Sequence, residues 1–174
     1  MHVFVTETRP MLQGARLTAY ELRQLGIPYT LLSDMAAGLL LKRAGVDKAI
    51  VGGDRVLPDG HLFNKVGTYV LALLFKEHRR PFFCAVPTSS IDPRATIRDV
   101  KIEERSPQEV LSIGGRYIAP RDAKVYNPAF DVTPPQLISA YITERGILYP
   151  PFEASLGALI GTPEGPPRPA GSGT

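Results

Sequence analysis

Short apolar runs alternate with longer amphipathic stretches along the first 90 residues of the chain. Within residues 11–25 the apolar side chains recur every three or four positions, which is the spacing of one helix face. The short runs between such stretches are rich in β-branched and aromatic residues, which favour strands. This pattern predicts strands over residues 3–5, 29–32, 49–51 and 82–86, and helices over residues 11–25, 34–43 and 65–78.

The pattern is weaker in the second half of the chain. Proline is favoured in the first turn of a helix, so Pro134 and Pro135 predict a helix that runs to about residue 143. Ser106 can cap a short helix that follows it. The remaining elements expected here are a helix over residues 107–111 and strands over residues 124–126 and 147–149.

Strands and helices that alternate at this spacing predict an α/β fold, Rossmann-like, with a mostly parallel sheet and helices on both faces. Residues 1–153 are expected to form one domain, and the Pro/Gly-rich residues 154–174 a flexible tail. Ligands bind such sheets at the carboxyl ends of the strands. Polar residues gather just after the predicted strands, at positions 7–9, 33–34, 54–55 and 87–90.

Composition narrows the class of protein. A formal net charge of +3 with scattered basic residues argues against nucleic acid as a partner. No stretch approaches the ~20 apolar residues of a membrane helix, and the N-terminus lacks a signal-peptide layout. Cys84 is the single cysteine, so neither a disulfide nor a cysteine metal site is expected, and its apolar flanks favour a buried thiol over a nucleophile. These features indicate a cytoplasmic protein without a metal or a membrane anchor.

The segment after the first predicted strand contains Gln13 and leads into a predicted helix. A helix N-terminus with free backbone N–H groups suits phosphate, and Gln13 could add a side-chain donor. The alternative is a capped turn with an ordinary surface glutamine. The chain has neither the Gly-x-Gly-x-x-Gly fingerprint nor a Gly-Lys-Ser/Thr loop, so no nucleotide cofactor is predicted.

Asp54 follows two glycines at the end of the third predicted strand. Glycines let the backbone turn tightly and let a ligand approach closely. An aspartate there can act as a general acid or base if apolar walls raise its pKa. The alternative is a turn residue, or an ion pair with Arg55.

Asn64 and Lys65 lie at the predicted start of the next helix. Asn64 is a good helix cap, and this purely structural role is the alternative to a role in binding. Lys65 in a first helical turn opposes the helix dipole, and anion binding would explain it. Asp131 and Thr133 are expected to cap the helix that follows them.

Six segments occurring in order resemble the C-terminal half of methylthioribose-1-phosphate isomerases. The wider family includes ribose-1,5-bisphosphate isomerases and the regulatory alpha, beta and delta subunits of translation initiation factor 2B. The resemblance covers about residues 2–152. The segments are residues 7–14 (ETRPMLQG), 33–36 (SDMA), 52–55 (GGDR), 64–68 (NKVGT), 102–107 (IEERSP) and 126–134 (YNPAFDVTP).

The resemblance implies an isomerase of methionine salvage, which converts 5-methylthioribose 1-phosphate to 5-methylthioribulose 1-phosphate without a cofactor. It implies that Asp54 is the proton donor and acceptor, and that Gln13, Asn64 and Lys65 contact the sugar phosphate. Relatives are dimeric, so a homodimer is expected, with an apolar helix over residues 137–142 as a possible support.

Two alternatives stay open. One is ribose-1,5-bisphosphate isomerase, which shares the chemistry and differs in the pocket for the C5 substituent. The other is a non-catalytic regulatory subunit. Family enzymes carry a helical domain, a basic segment and a cleft cysteine before the region that resembles this chain, so the 174-residue chain alone is expected to be inactive.

Overall fold

The computed structural model describes residues 1–43 and 45–161 and confirms the predicted α/β class. The helices are α1 (Ala19–Gln24), α2 (Ala37–Arg43), α3 (Thr68–Glu77), α4 (Gln108–Leu111) and α5 (Phe152–Gly161). None of these described helices has the length and apolar character needed to cross a membrane. A π-helical turn, Gly14–Thr18, precedes α1, and 3-10 turns cover Asp34–Ala36, Thr88–Ser90 and Pro135–Leu137. The strands are β1 (Val3–Thr6), β2 (Tyr29–Leu32), β3 (Ala49–Val51), β4 (Arg55–Val56), β5 (Leu62–Lys65), β6 (Phe82–Ala85), β7 (Ser112–Ile113), β8 (Arg116–Tyr117), β9 (Phe130–Thr133), β10 (Ala140–Thr143) and β11 (Gly146–Leu148).

Parallel strand pairs form the centre of the fold. Strands β3, β6 and β10 are parallel neighbours, and β11 joins β10 as an antiparallel edge. Strands β1 and β2 form a separate parallel pair. Strand β5 pairs antiparallel with β4 and β9, and β7 with β8 forms a short hairpin. The parallel pairs agree with the predicted Rossmann-like arrangement.

One apolar core lies around the four-stranded sheet. The rings of Tyr141 and Phe152 pack edge to face with centroids 4.9 Å apart. The Tyr141 hydroxyl donates a 2.8 Å hydrogen bond to the Gly60 carbonyl, which satisfies a polar group inside the core. Cys84 lies fully buried on β6, so the prediction of a buried strand thiol is confirmed.

Helix α5 extends the folded region past residue 153. Its first residue, Phe152, and its central Leu156 are both buried in the main core. The guanidinium of Arg145 also donates to the Leu159 carbonyl at 3.1 Å. The predicted boundary at residue 153 therefore falls inside a packed helix. The remainder of the expected tail, residues 162–174, lies outside the described residues.

Two predicted helices and one predicted strand differ from the structure. Helix α3 begins at Thr68 rather than residue 65, because Leu62–Lys65 is held as a strand by β9. Residues 134–143 form a 3-10 turn followed by β10, not a helix. The expectation of an apolar helix that supports a dimer is therefore wrong. Tyr141, which would lie on that helix, is buried in the core. Residues 124–126 lie within the described part of the chain and form no strand.

Candidate functional site

A cleft of about 500 Å³ lies between β1 and β3, bordered by α3 and by the loops at the carboxyl ends of both strands. In open α/β sheets this is the position where ligands bind, outside the carboxyl ends of neighbouring strands. The wall toward α3 is apolar, and the polar side chains lie on the loops. The apolar lining includes Val5, Ile50, Val51, Val70, Leu71 and Leu74.

The loop after β1 is fixed by the carboxylate of Asp34. Backbone N–H groups of Thr8 and Arg9 donate to its two oxygens at 2.8 Å and 2.7 Å. Asp34 stands just after β2, so these bonds join the ends of both strands at the mouth of the cleft. Thr8, Arg9 and Asp34 line the cleft, and their position after strands is the sequence signal that points to them.

Asn64 and Lys65 end β5 and line the cleft from the opposite side. The Asn64 amide donates to the Thr68 hydroxyl at 2.9 Å, and that hydroxyl donates to the Lys65 carbonyl at 2.7 Å. Thr68 thereby fixes the orientation of Asn64 toward the cleft. Asn64 is a strand residue, so the expectation that it caps the helix is wrong.

The Lys65 ammonium lies 5.2 Å from the centroid of the Phe130 ring. No carboxylate within the described ranges lies within 4.0 Å of it, so its N–H donors are not taken up by an ion pair. The expectation that Lys65 stands in a first helical turn is wrong, because α3 begins three residues later. The case for an anion now rests on the unpaired ammonium of a residue that lines the cleft.

Asp131 occupies the N-terminus of α3. Its carboxylate accepts from the backbone N–H of Gly67 at 2.7 Å and of Tyr69 at 3.1 Å. Burial raises the pKa of this carboxyl, and the two hydrogen bonds oppose that shift. The expected role as a cap of a following helix is corrected: Asp131 caps a helix that precedes it in sequence. Thr133 lies buried in β9 and caps no helix.

Asp54 and Gln13 are exposed beside the cleft and are not part of its wall. The Asp54 backbone N–H donates to the Phe63 carbonyl at 3.0 Å, which places the Gly52–Asp54 turn next to Asn64. Arg55 pairs with Asp92 at 3.9 Å, so the alternative of an Asp54–Arg55 ion pair is not what the structure shows. Gln13 makes no capping hydrogen bond to the π-helical turn that follows it.

No group of three or more histidine, cysteine or acidic side chains in the described part of the chain could hold a metal ion. The polar groups around the cleft include hydrogen-bond donors and acceptors and the cationic residues Arg9 and Lys65. Such a set suits a polar, anionic small molecule that has an apolar part.

Two curated relatives that match this chain carry the same enzyme name. The methylthioribose-1-phosphate isomerase of Thermus thermophilus is 53% identical over 92% of this chain and 49% of its own length. A second relative, methylthioribose-1-phosphate isomerase 2 of Pseudothermotoga lettingae, is 50% identical over 92% of this chain and 47% of its own length. The chain thus spans about half the length of the curated relatives it matches.

Solved structures share the fold. Subunit delta of translation initiation factor eIF-2B from A. fulgidus matches with a TM-score of 0.89 and 45% identity, over 92% of this chain and 47% of that one. The 5-methylthioribose 1-phosphate isomerase of Pyrococcus horikoshii OT3 matches with a TM-score of 0.88 and 49% identity, over 91% of this chain and 45% of that one. The model of the initiation factor 2 subunit family matches residues 1–150, and the chain belongs to this family.

Proposed function

We propose that this chain forms the Rossmann-like half of an aldose–ketose isomerase that acts on 5-methylthioribose 1-phosphate. The observation that supports it most is the cleft between β1 and β3, whose polar lining includes Asn64 and Lys65, a residue with an unpaired ammonium. The two curated relatives described above carry the name of this enzyme.

The polar and apolar parts of the cleft lining suit the two ends of this substrate. The Lys65 ammonium and the Asn64 amide can hold the phosphate and sugar hydroxyls. The apolar wall of Val70, Leu71 and Leu74 suits a methylthio group better than a second phosphate. This wall favours methylthioribose 1-phosphate over ribose 1,5-bisphosphate, which would need a cation at that end.

Asp54 is the proposed acid and base. In the reaction the bond between C1 and the ring oxygen breaks and that oxygen gains a proton. The O2 hydroxyl loses a proton as the C2 carbonyl forms, and the hydrogen on C2 moves to C1, so the molecular formula is unchanged. A carboxyl group that gives one proton and accepts the other serves both ends of this exchange. Asp54 stands on a glycine turn beside Asn64, where it can meet a sugar bound across the mouth of the cleft.

The proposal includes a homodimer and a cytoplasmic location. Tyr69 and Leu73 of α3 are exposed large side chains one helical turn apart, outside the cleft lining, and such a surface supports self-association. Nothing in the proposed chemistry calls for nucleic acid or a membrane.

The binding test is a titration of the isotope-labelled chain with 5-methylthioribose 1-phosphate, followed by NMR. We expect shifts at the backbone amides of Gly52, Lys65 and Gly67. Lys65→Gln should weaken the affinity on the order of tenfold or more, because a hydrogen bond to a charged group contributes about 1.5–3 kcal/mol.

Lys42→Gln is the matched control, because Lys42 is an exposed lysine at the end of α2. Ribose 1,5-bisphosphate is titrated in parallel, and tighter binding of that compound would favour the second isomerase. Binding of neither sugar phosphate would overturn the proposal and favour a non-catalytic regulatory subunit.

A further inference from the structure

Residues 103–105 and 127–129 have no role in the proposed chemistry. Backbone hydrogen bonds join these two segments near Lys65. The backbone N–H of Arg105 donates to the Asn127 carbonyl at 2.9 Å, and that of Ala129 donates to the Glu103 carbonyl at 2.8 Å. Asn127 itself is buried. The chain then continues directly into Phe130, the residue under the Lys65 ammonium.

The Glu109 carboxylate is fully engaged within these segments. The Arg105 guanidinium makes a bidentate contact with it: Nε donates to Oε2 at 2.9 Å, and Nη2 donates to Oε1 at 2.6 Å. The Asn127 amide donates to Oε2 at 3.2 Å. The side chain of Glu109 is only 15% exposed.

Lys65 is the other cation that acts on this carboxylate. The hydrogen bond from Arg105 is the largest influence that lowers the pKa of Glu109, and the charge of Lys65 lowers it further. The two cations thus share one acidic neighbour, yet only Arg105 contacts it. Asp131, also close to Lys65 in the strand pair, is occupied by the N-terminus of α3.

We infer that Arg105 is a positioning residue for the proposed sugar-phosphate site: by holding Glu109 it leaves the Lys65 ammonium available to the phosphate. A carboxylate with so little exposure that loses its guanidinium partner is left uncompensated and attracts another cation. Lys65 has a flexible stem and three N–H donors, so its ammonium can pair with a freed Glu109 instead of the phosphate. This inference rests on the proposed function, because it concerns the same anion site.

The test compares Arg105→Gln, Glu109→Gln and the double variant in the NMR titration with 5-methylthioribose 1-phosphate. Arg105→Gln should weaken binding by about three- to tenfold, since a freed Glu109 competes for the ammonium. The double variant should restore the affinity to that of Glu109→Gln alone. A purely structural role of Arg105 predicts no such rescue.

Glu103→Gln is the control, because its carboxylate also pairs with Arg105, at 3.6 Å, but is 60% exposed. It should leave the affinity unchanged. If Arg105→Gln does not fold, Arg105→Lys replaces it, and thermal unfolding shows that each variant is folded. Arg105→Lys should bind more weakly than the parent chain, and Glu109→Gln should again rescue it.

The outcomes separate this inference from the function on which it rests. Binding that depends on Lys65 but not on Arg105, or a double variant as weak as Arg105→Gln, overturns the inference and leaves the function standing. Absence of any Lys65-dependent binding in the parent chain overturns the proposed function itself.

Discussion

The thiol of Cys84 lies in the middle of the parallel sheet, opposite Val51 on one side and Tyr141 on the other. Burial raises its pKa from the ordinary 9.0 to about 12. The thiolate is the reactive form, so at about pH 8 a water-soluble disulfide reagent should leave the folded chain unmodified. The same reagent should modify Cys84 completely in concentrated guanidinium, and rapid modification of the folded chain would contradict the burial.

The same shift has a consequence for stability. The folded thiol keeps its proton at pH values where the unfolded thiol has lost it, so the free energy of unfolding falls as the pH rises from 9.0 toward about 12. Cys84→Ala removes this contribution. Denaturant unfolding of both proteins across that range measures it, and equal pH dependence in the two proteins would contradict the assignment to Cys84.

Lys65 illustrates what residue-scale reasoning could and could not predict about the site. The sequence singles out residues 64–68, and these residues line the cleft. The reason offered for Lys65, a cation at a helix start, is wrong because a strand holds that position. The Lys65 ammonium lies over the ring of Phe130, a residue 65 positions later in the sequence. Local spacing could not predict this contact. The catalytic role of Asp54 and the substrate contact of Gln13 stay predictions.

Helix α5 is the element with the clearest energetic prediction. Leu156 is completely buried in the main core, so Leu156→Ala should lower the free energy of unfolding by about 2–5 kcal/mol, through lost burial and a cavity. Ile160→Ala, on an exposed part of the same helix, should cost much less. Denaturant unfolding measures both. Equal, small effects would mean that α5 is not part of the cooperative fold.

Elements were predictable where local pattern and tertiary pairing agree. Strands β2 and β3 match their predicted ranges, since a short run of apolar and β-branched residues between turn residues is a local strand signal. The helix expected over residues 134–143 does not form. Ile138 and Tyr141 are buried in the core against β6 and α5, and this packing outweighs the local preference of Pro135 for a helix start. The local pattern does not predict strand β5, because the four-residue pairing that holds it is with β9, which is distant in sequence.

At the scale of the whole molecule, the cleft is walled on the side of the sheet and open at its mouth. Asp54 and Gln13 are both exposed there. Acid–base catalysis on a sugar phosphate is favoured in a site from which water is excluded. Sugar-phosphate turnover should therefore need a covering surface over this mouth, and the curated relatives described above are about twice as long as the matched region.

This expectation can be tested by fusing the chain to the part of the Thermus thermophilus relative that it does not match. The fusion should convert 5-methylthioribose 1-phosphate to the ketose, with the chain alone as the baseline. Asp54→Asn in the fusion should lower kcat on the order of 10² to 10⁴, the usual effect of removing a general acid or base, while the affinity for the sugar phosphate is kept. Asp122→Asn, at an exposed position away from the cleft lining, is the matched control and should leave kcat unchanged. An active fusion in which Asp54→Asn turns over normally would remove Asp54 from the mechanism, whereas loss of affinity would assign it to binding.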